Sequence, residues 1–68
     1  MKGGVSMVTK FEILRRGAGM NQAKLAEKAG VTRQTISRIE RGEIENVSVK
    51  TLVKCAEAIG CNITEFFV

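Results

Sequence analysis

Proline, histidine and aspartate are all missing from this 68-residue chain, and its only aromatic side chains are three Phe. Without His, general acid–base catalysis through an imidazole and every nucleophile–His pair are excluded. A metal site would have to be assembled from Glu and two Cys, a poor donor set. Those two, Cys55 and Cys61, are too few for a disulfide framework. No segment approaches the ~20 apolar residues of a membrane span, and the opening MKGGVSMV lacks the long apolar core of a secretory signal. No internal repeat or low-complexity tract occurs. The absences point away from an enzyme. They leave a cytoplasmic chain with reduced thiols, needing neither cofactor nor metal and showing no small-molecule effector site.

What is present is one small domain with an uneven charge. A chain of about 60 residues buries only ~60% of the surface it exposes when unfolded, so helix packing or dimerisation must supplement a thin core. The net charge is +4, but residues 1–41 carry nine Lys or Arg against three Glu, and residues 42–68 carry two Lys against four Glu. A basic front half of +6 beside a rear half of −2 suits a polyanionic partner, although a solubilising surface would give the same total.

The pattern predicts five helices and no strand, with breaks at glycines and capping residues. The first runs from Ser6 or Met7 to Gly17, with Val8, Phe11 and Leu14 at helical spacing and Gly19 as its stop. Asn21 caps a second helix, Gln22–Ala29, with Ala23, Leu25 and Ala26 as its buried stripe. Gly30 supplies a left-handed turn. Thr32 caps a third helix reaching about Arg41, where Gly42 ends it. Glu43–Val47 reads as a loop. Ser48 caps a fourth helix burying Val49, Leu52, Cys55, Ala56 and Ile59 before Gly60. Asn62 opens a short fifth helix, with Glu65 at the capping-box spacing. Met1–Val5 is read as a flexible leader ahead of a single domain over residues 6–68. Met7 and Met20 are read as core filler.

Helices two and three are joined by one glycine and one apolar residue, too tightly for an antiparallel hairpin. They must cross steeply, as in a helix-turn-helix. The stretch QAKLAEKAGVTRQTISRIER, Gln22 to Arg41, resembles the helix-turn-helix of the phage repressor/Cro family in its Gln, its small Ala26, its turn Gly30 and its late Ile36 and Ile39. SVKTLVKCAEAIGCNITEFF resembles the fourth and fifth helices of the same domain. With LRRGAGM, the likeness covers Val8 to Phe67. It implies an all-α, five-helix lambda-repressor-like DNA-binding domain.

With Val31, Ile36 and Ile39 facing inward, the opposite face of helix three presents Arg33, Gln34, Ser37 and Arg38, with Thr32 at its tip. These residue types read base edges: Arg bonds guanine at two points, Gln bonds adenine, and Ser or Thr contacts a base or the thymine methyl. The resemblance places base contacts on Arg33, Gln34 and Arg38, with Ser37 beside them, and a phosphate contact on Gln22. Asn21 and Gln22 also offer free N–H groups at a helix start, and Arg41 is placed for the far side of the groove. Lys10 and Arg16 either add to the field or are ordinary solvated charges.

The resemblance assigns Arg15 and Glu40 to a structural ion pair between helices one and three, and places Cys55 and Cys61 at positions that are usually apolar, as buried small hydrophobes. It also implies a twofold dimer on a palindromic site, with reading helices about 34 Å apart. Phe66, Phe67 and Val68 cannot all face inward on one short helix. One Phe is expected in the core, while the other joins Val68 and Ile44 in a dimer seam; the alternative is that both rings cover a monomer's core. Glu43 and Glu45 depart from the family, which often places basic residues in that loop. The expected function is sequence-specific regulation of transcription on double-stranded DNA, as a dimeric repressor. The rivals are an antitoxin or controller protein with a protein partner, and an interaction module that has kept the fold without binding DNA.

Overall fold

The computed structural model describes residues 9–67, which form four α-helices and two 3-10 segments and, among the described residues, no strand. The helices are α1 (Thr9–Gly17), α2 (Gln22–Ala29), α3 (Arg33–Glu40) and α4 (Val49–Ile59). The 3-10 segments are Ile44–Asn46, inside the expected loop, and Ile63–Phe67 at the C-terminal end. The fifth helix is therefore not an α-helix. Its five residues leave room for little more than one tight turn, and the Asn62 N–H donates to the Glu65 carboxylate in the anticipated capping contact. The expected leader, Met7, Val8 and Val68 lie outside the described residues.

Local chemistry sets the helix boundaries. The side chains of Asn21, Thr32 and Ser48 accept hydrogen bonds from the N–H groups of Lys24, Thr35 and Thr51, each closing the first turn of a helix. At the other end of α2, Gly30 takes φ +74° and the Val31 N–H reaches back 2.9 Å to the Ala26 carbonyl. This left-handed turn redirects the chain from α2 into α3, and an L side chain there would be strained.

Packing follows from that turn. α2 lies against both α3 and α4, while α1 contacts α3 and the C-terminal 3-10 segment. Phe11, Leu25, Ile36, Ile39, Cys55 and Phe66 are fully withdrawn from solvent at the centre, and the Phe11 and Phe66 rings meet at 4.8 Å in a tilted pair.

Two inward assignments and two seam assignments change. Ala23 is exposed and Ala29 is buried in its place, because α2 turns residues 25, 26 and 29 toward α3 and α4. Val49 is 69% exposed, since α4 begins beyond the edge of the core. Phe66 is fully buried and is not available to a seam, whereas Phe67 stays 41% exposed. Ile44 is half-buried and packs on the core, so it adds little to an exposed patch. No helix among the described residues is long and apolar enough to cross a membrane.

Candidate nucleic-acid interface

The orientation of α3 follows from two isoleucines. Ile36 and Ile39 are 0% exposed, and Val31 packs beside them from the turn. At about 100° per residue, this places Gln34, Ser37 and Arg41 on the opposite face, with Arg33 and Arg38 flanking. Arg33, Gln34 and Arg41 are exposed, and Ser37 and Arg38 are half-buried along the same surface. Thr32 sits exposed at the tip, where its hydroxyl caps the helix and lies 2.9 Å from the Thr35 hydroxyl. The polar side chains singled out from the sequence are thus brought onto one continuous face.

A buried ionic cluster holds that face against the rest of the domain. Arg15 Nε donates to Glu40 Oε2 at 2.6 Å, and both side chains are under a tenth exposed. Arg15 Nη1 donates to the Met20 carbonyl at 2.8 Å, and Gln22 Nε2 donates to Glu40 Oε1 at 2.9 Å. The cluster joins the end of α1, the start of α2 and the end of α3. Every buried polar side-chain atom among the described residues has a partner, which is what an ion pair taken from water requires.

The Gln22 amide is thereby engaged inside the protein. What α2 offers an anion is its backbone. Asn21 Oδ1 accepts from Lys24 N at 2.8 Å, and the Leu25 N–H is the first to reach back into the helix, to the Asn21 carbonyl. The N–H groups of Gln22 and Ala23 before them have no acceptor within the helix. On α1, Arg16 is exposed and paired with Glu12 at 2.7 Å, and Lys10 is exposed.

Arg41 is tied within the chain as well. Its Nη1 donates to Ser37 Oγ at 2.6 Å, and its Nε and Nη2 face the two carboxylate oxygens of Glu43 at 3.1 and 3.4 Å. The hydrogen bond and charge of Arg41, with a smaller contribution from Arg38, hold the Glu43 carboxyl below its ordinary pKa, and Arg41 is raised in turn. This contact was not anticipated from the residues. The Ser37–Arg41 spacing of four was a legible signal, but Glu43 lies past the helix end, where a helical wheel says nothing.

Residues 11–66 match the sequence profile of the Helix-turn-helix family. A protein of Archaeoglobus fulgidus described as an uncharacterized HTH-type transcriptional regulator is 36% identical over 62 residues, covering 91% of this chain and 87% of its own. A protein of Methanocaldococcus jannaschii with the same description is 37% identical over 62 residues, covering 91% and 92%. Among solved structures, the biofilm master regulator SinR in complex with DNA superposes with a TM-score of 0.80 at 27% identity, covering 91% of this chain and 98% of that one.

Proposed function

The chain belongs to the helix-turn-helix family, and from that premise we propose that it is a sequence-specific transcriptional regulator of double-stranded DNA. It inserts α3 into the major groove and acts in the cytoplasm as a homodimeric repressor on a palindromic operator. Arg33, Gln34 and Arg38 contact base edges, with Ser37 and Thr32 completing the reading surface. The N–H groups at the start of α2, around Asn21 and Gln22, and the Arg41 guanidinium contact phosphates. The observation that carries this reading is the outward polar face of α3, fixed by Ile36 and Ile39 behind it and by the Arg15–Glu40 pair at its end. The capture of SinR on DNA supports the same docking for a similar chain.

Selection of bound sequences from a random duplex pool tests the proposal, and a palindrome in the result is expected. Arg38→Ala should relax the preference at one base position, a loss of about 1–3 kcal/mol of discrimination. Binding to random duplex should fall steeply with salt, by close to one unit of slope per phosphate contact. A flat salt response would favour the interaction module instead, a reading that the exposed acidic residues Glu43 and Glu45 keep in play.

A further inference from the structure

We propose that Glu43 attenuates this interface by occupying Arg41, so that a phosphate must displace the carboxylate before it can claim the guanidinium. The inference rests on the DNA-binding reading above and gives a role to the residue that departs most from the basic character of the face. Two guanidinium nitrogens of Arg41 face both Glu43 carboxylate oxygens at 3.1 and 3.4 Å, and the third donates to Ser37 at 2.6 Å. All three nitrogens are engaged within the chain, on the face that also carries Gln34.

The arrangement is set by the backbone. Gly42 takes φ +84°, and the Glu43 N–H bonds the Arg38 carbonyl at 2.9 Å. This reversal after α3 returns the carboxylate to Arg41 from only two residues away. Glu43 is itself about half exposed, with no buried role to fill.

The pair is exposed, so its strength is modest and a phosphate can displace it. A loosely seated duplex leaves the pair intact, gaining nothing from Arg41 and bearing no cost of freeing it. A duplex on which α3 sits fully in the groove holds a phosphate at bonding distance, where a charge-assisted contact replaces the internal one. The preferred duplex therefore bears the cost of breaking the pair, and removing the carboxylate helps it more than random DNA.

The test compares Glu43→Gln with the parent protein on random duplex and on the duplex recovered by selection, each across a salt series. Glu43→Gln should tighten binding to the preferred duplex about two- to five-fold, the range an exposed pair can supply. Random duplex should gain less. In an Arg41→Ala background the same substitution should do little, and Glu45→Gln should not reproduce its effect. An equal gain on both duplexes, or a gain that persists without Arg41, would mean that only net charge matters and would overturn the proposal. If no variant binds duplex at any salt, the DNA-binding reading itself falls. Duplex binding that Glu43→Gln leaves unchanged sinks the masking role alone.

Discussion

At residue scale, the same chain treats its two kinds of rare side chain very differently. Of the three Phe, Phe11 and Phe66 close the core while Phe67, next in line, stays partly in water with its ring edge-on to Phe66 at 6.3 Å. Of the two cysteines, Cys55 is fully enclosed and burial pushes its thiol up to about 11, whereas Cys61 is half-buried and is raised by burial and by Glu65. The raised Cys55 value has a thermodynamic consequence. The folded state holds this proton more tightly than the unfolded chain, so the stabilisation is complete below the ordinary thiol pKa and is lost as pH rises toward the folded value. Urea midpoints measured through the alkaline range should fall more steeply for the parent than for Cys55→Ala. Parallel slopes would show that the enclosed thiol does not control the alkaline limb.

At element scale, the position of α3 depends on the cluster at its end as much as on its apolar side. Glu40→Ala would leave Arg15 buried beside Met20 with its carboxylate partner gone and would free the Gln22 amide. Losing one member of a buried pair costs about 3 kcal/mol or more, a large share of what a domain this small can hold. Chemical denaturation should therefore show Glu40→Ala far less stable than the parent, while Arg15→Met combined with Glu40→Leu recovers most of the loss. If the single and double variants unfold together, the pair is not what holds α3.

The helix limits were readable without the fold because caps are local. Asn21, Thr32 and Ser48 bond N–H groups three residues away, and that reach is written in the chain. The buried stripe of α2 was less legible. Alanines at 23, 26 and 29 carry so little apolar signal that their periodicity cannot phase the helix. The choice of Ala29 over Ala23 is made by where α3 and α4 lie.

At the scale of the whole molecule, the sides of the domain carry different chemistry. The polar, arginine-bearing face of α3 lies on one element, and the Phe67 ring projects from the C-terminal 3-10 segment that α1 packs against. Sedimentation at increasing concentration should show the parent approaching a dimer and Phe67→Glu remaining a monomer of nearly unchanged stability, because the ring is already 41% exposed. Equal association by both proteins would place the seam elsewhere.

The sequence by itself determined the limits of α2, α3 and α4, the left-handed turn at Gly30, and the identity of the side chains opposite Ile36 and Ile39. All of these rest on contacts within a few residues or on a single helical period. Only the tertiary structure decided which Phe enters the core, that Gln22 is spent on Glu40, and that Arg41 is held by Glu43 and Ser37. Those outcomes depend on which elements approach one another, on how the chain reverses after a helix, and on which of two adjacent side chains finds space. Periodicity stops at the end of an element, and these pairings begin there.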